Sequence, residues 1–362
     1  MKITEKPTVK TKSKIILFYS FMILLTFCFS FFVGEISLRI VKYAGKDYQP
    51  FPWKVPVICR HDQILGWRPN PGKYIFPPYS WTKDGLTLTI LPSGARATGP
   101  YQTHKSRSLV AIGCSITQGW EISDNETFMY KLQDRYPQIE MINLGCLGYG
   151  TYQSFLLLKE YLKNFNNVPS VVIYGFIEHH QNRNVADVDW LLYLSKAARI
   201  GHVYLPYCLT NKKGELECFP PQKYPQWIFD RSSSLVNFLK DQYIKRTNIW
   251  RLGQRKVVTK ALLSEIDAWC QSRGIKFIVI LLQASENIKD DYKSFLNDKK
   301  IGVIDCTNLG LGPEIKTTVG RGSHPNGLVN TIWADCIEQG LNKDPVARDA
   351  LKNFQPQNLN SN

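Results

Sequence analysis

Apolar residues run almost unbroken from 15 to 33 (IILFYSFMILLTFCFSFFV). As a helix rising 1.5 Å per residue, this run covers about 28 Å, close to the roughly 30 Å hydrocarbon core of a bilayer. It has no polar face, unlike the amphipathic helix of a soluble core. A signal peptide has a shorter apolar region followed by small residues for cleavage. Here Gly34-Glu35-Ile36-Ser37-Leu38-Arg39 follows instead, so an uncleaved anchor is expected over 15–34. Lys2, Lys6, Lys10, Lys12 and Lys14 precede the run. They make residues 1–14 a cytoplasmic basic tail and send the rest of the chain to the far side of the membrane. Residues 35–45 continue as a juxtamembrane helix.

Beyond the anchor the pattern changes twice. Residues 50–106 are rich in Pro, Gly and aromatics. Period-two alternation at 86–90 predicts a strand and the Gly-Pro content of 66–72 a turn, so 35–106 reads as a juxtamembrane helix and a small β-rich lead-in. From 108 onward, short apolar runs alternate with amphipathic stretches. Strands are predicted at 109–112, 140–144, 170–174, 276–282 and 303–305. Helices are predicted at 126–136, 152–165, 257–273 (ended by Gly274) and 326–341, the last opened by Pro325. An insertion is expected around 205–228. This order predicts an α/β fold over 107–343: a three-layer, doubly wound parallel sheet of the flavodoxin type, with a polar, flexible tail over 344–362.

Composition narrows the picture. The chain of 362 residues carries 45 basic and 30 acidic residues. Part of the excess belongs to the N-terminal lysines, and the rest is scattered, with no nucleic-acid-binding motif. Scattered cations suit an anionic surface or polymer and not a base-reading interface. Nine cysteines show neither CxxC pairs nor zinc spacing. Cys208 and Cys218 flank a polar turn and can pair in an oxidising compartment.

Three segments carry candidate chemistry. Gly113-Cys114-Ser115-Ile116-Thr117-Gln118-Gly119 follows the first strand, where a serine at the strand-to-helix turn projects over the sheet edge. Asn143-Leu144-Gly145-Cys146-Leu147-Gly148-Tyr149-Gly150 follows the second, and its glycines let backbone approach a ligand. Gly322-Ser323-His324-Pro325-Asn326 precedes the closing helix and supplies an imidazole, the base that a weakly nucleophilic serine needs. Read singly, each is an ordinary turn, a flexible loop and a surface histidine.

Together these blocks resemble the SGNH hydrolase superfamily, the GDSL-like esterases. The match is best over Gly113-x-Ser115-x-Thr117-x-Gly119 and the following Trp120-Glu121-Ile122-Ser123-Asp124. That run, with Leu65-Gly66-Trp67-Arg68 and Gly94-Ala95-Arg96 upstream, is similar to membrane-anchored bacterial members tied to envelope and exopolysaccharide acylation. The resemblance implies Ser115 as nucleophile and His324 as general base. It implies an oxyanion hole from the Ser115 and Gly148 N–H groups, and a pocket lined by Thr117, Tyr149, His179, Arg183 and Asn326. No metal or cofactor is implied. The adjacent His179 and His180 point to opposite sides of an extended segment and do not suit one ion.

Three positions depart from the family pattern: Cys114 stands where the family has the aspartate before the serine, which is not the triad acid. Glu178 occupies the place of the asparagine that completes the oxyanion hole, with Asn182 or His179 as substitutes. Arg321 occupies the place of the acid three residues before the histidine. The expected function is an extracytoplasmic serine esterase that removes or transfers a small acyl group on an envelope or exported glycan. A catalytically impaired relative that binds glycan or a polymer-assembly partner is the alternative, and a membrane scaffold a third.

Overall fold

The computed structural model describes residues 9–43, 56–78, 85–99, 107–164, 168–197, 203–320 and 324–351. They form two compact units: those within 1–49 and 225–249, and those within 50–224 and 250–362. Residues 225–249, expected within a single domain over 107–343, thus belong with the N-terminal helix.

In the first unit, helix α1 (Val9–Ile40) contains a stretch, Ser13–Ile40, long and apolar enough to cross a membrane, with a mean hydropathy of 2.4. It ends at Ile40, short of the expected 45, and residues 44–49 lie outside the described region. Glu35, just past the apolar run, accepts hydrogen bonds from the backbone N–H groups of Ser234 (3.1 Å) and Leu235 (2.8 Å).

In the second unit the lead-in is two antiparallel hairpins: β1 (Cys59–Asp62) with β2 (Gly66–Pro69), and β3 (Gly72–Phe76) with β4 (Leu86–Ile90). The alternation at 86–90 works as expected, with Leu86, Leu88 and Ile90 inward. The predicted turn at 66–72 is instead mostly strand. Gly66 is the residue that turns, at φ +83, where a side chain would overlap the Tyr204 carbonyl.

The central sheet holds β5 (Ser108–Gly113), β6 (Glu140–Asn143) and β7 (Val171–Ile177). The expected insertion is an antiparallel hairpin, β8 (Leu205–Thr210) with β9 (Leu216–Gln222), which stands apart from the sheet. β10 (Lys276–Gln283) and β11 (Gly302–Asp305) complete it, all five strands parallel, in the order β6-β5-β7-β10-β11. Renumbered along the chain this is 2-1-3-4-5, the flavodoxin-type doubly wound order, whose switch point lies between β5 and β7. A short antiparallel pair, β12 (Thr318–Val319) with β13 (His324–Pro325), precedes the closing helix.

Helices α2 (Ser115–Gln118), α3 (Phe128–Arg135) and α4 (Thr151–Asn164) follow β5 and β6. Then come α5 (His180–Asn184), α6 (Val188–Ala197), α7 (Ser234–Gln271), α8 (Glu286–Asp298), α9 (Gly327–Lys343) and α10 (Pro345–Leu351). Leu109, Ala111, Ile173 and Ile280 turn toward one sheet face and pack with Phe128, Trp333 and Ile337. Their strand neighbours Val110, Ile112, Val172 and Val279 are buried on the other. Both faces are therefore covered, which is why these strands read as continuous apolar runs.

Three expectations are corrected here. The helix foreseen at 257–273 is the second part of the much longer α7. The closing helix is capped by the Asn326 side chain, which accepts from Val329 N (3.0 Å), while Pro325 belongs to β13. The segment 345–351 is not a flexible tail but a helix that buries Ala347 and Leu351 in the main core; its polar look hid two inward positions one turn apart.

Cys208 and Cys218 form a disulfide across the β8–β9 hairpin, and a second links Cys306, after β11, to Cys336 on α9. The second bridge closes a 30-residue separation, so removing it relaxes the unfolded chain. Cys306→Ser is expected to lower unfolding stability by about 3 kcal/mol in urea titration, and an unchanged midpoint would contradict a bridge there.

Candidate active site

Strand β5 ends at Gly113, whose backbone is so close to Thr117 that any side chain would overlap it. The chain then turns into α2, which opens with Ser115 at the carboxyl edge of the sheet, beside the switch point. Open α/β sheets bind ligands at this edge. The helix is one turn long and is stopped by Gly119 at φ +81.

Ser115 is 5% exposed, and its hydroxyl lies 3.1 Å from Nε2 of His324. The imidazole arrives from β13, more than 200 residues away, so this meeting is purely tertiary. Its other nitrogen, Nδ1, is 2.9 Å from a carboxylate oxygen of Glu121. Hydroxyl, imidazole and carboxylate thus form one relay. Such a relay lets the imidazole take a proton from the hydroxyl while the carboxylate fixes its tautomer and stabilises its charged form.

The acid was missed in the sequence. The resemblance places it three residues before the histidine, at Arg321, which lies outside the described residues. The carboxylate comes instead from the turn after α2, six residues past Ser115. Glu121 was visible only as part of a longer motif, and one acidic residue in a polar turn carries no local signal.

Glu121 has φ +67, a left-handed conformation uncommon for a residue with a long side chain. Arg96 holds that turn. Its guanidinium is fully buried and donates to the carbonyls of Gln118 (2.9 Å), Gly119 and Ile122 (2.7 Å) and to the Asp124 carboxylate (3.0 Å). The planar fork of arginine meets these acceptors on both sides of Glu121, which a lysine cannot do. On the other flank is Gly320, at φ +72, where a methyl group would overlap the Glu121 carboxylate. Glu121 also borders a cavity of about 420 Å³, together with Lys131, Lys316, Thr318 and Asn326.

The glycine loop after β6 lies against α2. Gly145 comes so close that a side chain there would overlap the Gln118 backbone, and Cys146 N donates to the Gly113 carbonyl (3.0 Å). Trp67 of β2 steadies its far side. The indole donates to the Leu147 carbonyl (2.8 Å), and the Trp67 carbonyl accepts from the Tyr149 hydroxyl (2.5 Å). Gly148 sits between at φ +80, with the Trp67 and Trp190 rings where a side chain would go.

The remaining expected site residues fare differently. Asn326 lines the cavity while capping α9. Thr117 is fully buried between Gly113 and Gly175 and does not line a pocket, because the strand–helix turn folds it under the sheet edge. Tyr149 is also fully buried, as the post that ties the glycine loop to Trp67; burial pushes its hydroxyl well above the usual range. Arg183 donates to the Tyr149 carbonyl (2.9 Å) and stacks on Trp190, so it braces that loop from behind. His179 is exposed. Its neighbour His180 is buried against the Tyr174 hydroxyl (2.5 Å), and burial pulls its imidazole well below the ordinary value.

Glu178 is not an oxyanion donor. Its carboxylate accepts from the N–H and the hydroxyl of Ser285, both at 2.9 Å, at the start of α8. Those bonds hold it below the usual carboxylate range, hence ionised and unable to donate. Asn182 points to Asp187 (3.4 Å). Neither side chain completes an oxyanion hole.

Two substitutions probe the relay through the rate at which a fluorophosphonate labels Ser115. Glu121→Gln keeps the shape but removes the charge and favours the wrong imidazole tautomer, so labelling is expected to slow by roughly 10³- to 10⁴-fold. A labelling rate close to wild type would mean that Glu121 is not the acid. Gly320→Ala pushes the carboxylate aside and is expected to cost about 100-fold, and a near-native rate would show that the turn tolerates the methyl group.

No family model matches the chain, and no curated protein does. Solved structures similar to it include TesA, at 12% identity and a TM-score of 0.37, covering 66% of this chain and 99% of that one. The psychrotrophic esterase EstA from a Pseudoalteromonas species is 11% identical with a TM-score of 0.35, over 65% of this chain and 99% of that one. A member of the lipolytic G-D-S-L family from Veillonella parvula is 11% identical with a TM-score of 0.36, over 64% and 97%. Likenesses this faint carry no argument about chemistry.

Proposed function

We propose that this protein is a membrane-anchored serine esterase of the SGNH type, acting on the outer side of the membrane. The observation that carries the reading is the Ser115–His324–Glu121 relay, at 3.1 and 2.9 Å, on the carboxyl edge of a 2-1-3-4-5 sheet.

In this reading Ser115 Oγ attacks the ester carbonyl as His324 Nε2 takes its proton. The Ser115 N–H at the start of α2 and the Gly148 N–H stabilise the oxyanion. The imidazolium returns the proton to the leaving alcohol as the tetrahedral centre collapses to an acyl-serine. A water, or a sugar hydroxyl in the transfer variant, then gives its proton to His324 and takes the acyl group. With Glu178 and Asn182 engaged elsewhere, stabilisation of the oxyanion falls to backbone donors.

A nearly buried nucleophile beside a loop backed by two indole rings favours a short acyl group such as acetyl. An envelope or exported glycan as its carrier rests on the resemblance of the Ser115 block. Extracytoplasmic placement is supported by the N-terminal lysines before the apolar helix and by two disulfides, which persist in oxidising compartments. The rival reading, an inert glycan-binding relative, rests on two departures, Arg321 and Glu178; a carboxylate reaching the imidazole from Glu121 answers the first of them.

Ser115→Ala is expected to abolish hydrolysis of p-nitrophenyl acetate by the full-length protein, and mass spectrometry after fluorophosphonate treatment to find the label on Ser115. Equal activity in the variant, or a label elsewhere, would refute the assignment.

A further inference from the structure

The first unit contains more than a spanning helix. The loop before α7 exposes three large apolar side chains in succession: Trp227 (39%), Ile228 (81%) and Phe229 (70%). A soluble surface rarely shows such a run. The loop is nevertheless tied down by hydrogen bonds. Asp230 accepts from the Trp227 N–H (3.3 Å) and pairs with the fully buried Lys240 (3.0 Å). The Phe229 carbonyl accepts from the N–H groups of Ser232 (3.0 Å) and Ser233 (2.8 Å). Phe229 itself has φ +66, a strained conformation for an aromatic residue, and its ring is still turned outward.

This loop is fixed beside the end of the apolar helix. Glu35 caps the start of α7 through the Ser234 and Leu235 N–H groups and the Ser233 hydroxyl (2.8 Å). Arg39 donates to the Ser232 carbonyl (2.8 Å), Tyr43 to the Asp241 carboxylate (2.6 Å), and Gly34 packs on Leu235. Glu35 is two residues past the last position of the apolar run, at the depth where a spanning helix leaves the hydrocarbon. Tryptophan and other aromatic side chains concentrate at that depth, where ring and polar edge are both satisfied. Tyr243, Lys245 and Arg246, all exposed on the same unit, add an aromatic and two cations suited to anionic head groups.

We propose that residues 227–229 form a second membrane contact, a wedge seated in the outer head-group and upper acyl region next to α1. The occupant of the patch is lipid because the loop is hydrogen-bonded to the end of the span, so insertion of one carries the other to the interface. The inference rests on α1 being a membrane span. Its consequence is that the chain grips the bilayer at two points.

The test uses the full-length protein in phosphatidylcholine–phosphatidylglycerol vesicles, with and without phosphatidylcholine brominated high on its acyl chains. The chain has nine tryptophans, so the comparison is between wild type and the conservative Trp227→Phe variant. Bromolipid is expected to quench a component of the wild-type emission that the variant lacks. Equal quenching in both would overturn the wedge. A Trp227 component untouched by bromolipid and also shielded from aqueous acrylamide would overturn it in favour of a protein partner. Extraction of the vesicles with alkaline carbonate separates the two levels. A protein retained in the pellet without the Trp227 signal loses the wedge alone, whereas one released to the supernatant loses the anchor and the wedge together.

Discussion

A single buried guanidinium sets the geometry on which the site depends. Arg96 is removed from water, and such a cation is stable only where its donors are satisfied. The acceptors that satisfy it are carbonyls and a carboxylate on either side of Glu121. Its own backbone N–H bonds to the Asn143 carbonyl (2.8 Å), stitching the lead-in to the β6 edge. One residue therefore joins the lead-in, the sheet and the turn that carries the acid. The turn can then hold Glu121 in a left-handed conformation that it would not choose alone, and the imidazole inherits its orientation from that carboxylate.

The lead-in takes on a role beyond cover. Through Arg96 it fixes the Glu121 turn, and through Trp67 it holds the glycine loop at Leu147 and Tyr149. These are the two elements that flank Ser115. The hydrogen bonds of Trp67 are long-range in sequence, so the carboxyl edge of the sheet is completed by residues that fold against it from the N-terminal side. Precise positioning of this kind is what separates a serine in a turn from an activated one.

Glu121 and His324 are delivered by different devices. His324 arrives on a short strand pair before α9, where Asn326 caps the helix and ties back to the Lys316 carbonyl (2.7 Å). The bridge from Cys306 to Cys336 anchors the same helix to the end of β11. Gly320 leaves the space that the Glu121 carboxylate occupies. The site is thus assembled from four stretches of chain, each held by its own contacts.

The sequence alone determined what depends on periodicity and on local turn chemistry. The apolar run of α1, the alternation of strands and helices, the serine between glycines after a strand, and the histidine before the closing helix are all properties of neighbouring residues. Tertiary structure decided the rest. Glu121 rather than residue 321 beside the imidazole, Glu178 as a cap on α8, and Thr117 and Tyr149 as buried supports depend on partners distant in sequence: His324, Ser285, Gly175 and Trp67. A side chain's role there is set by which polar group the fold presents to it, and spacing along the chain does not encode that. The long α7, split between two units, and the 345–351 helix escaped for the same reason: their faces acquire meaning only from what packs on them.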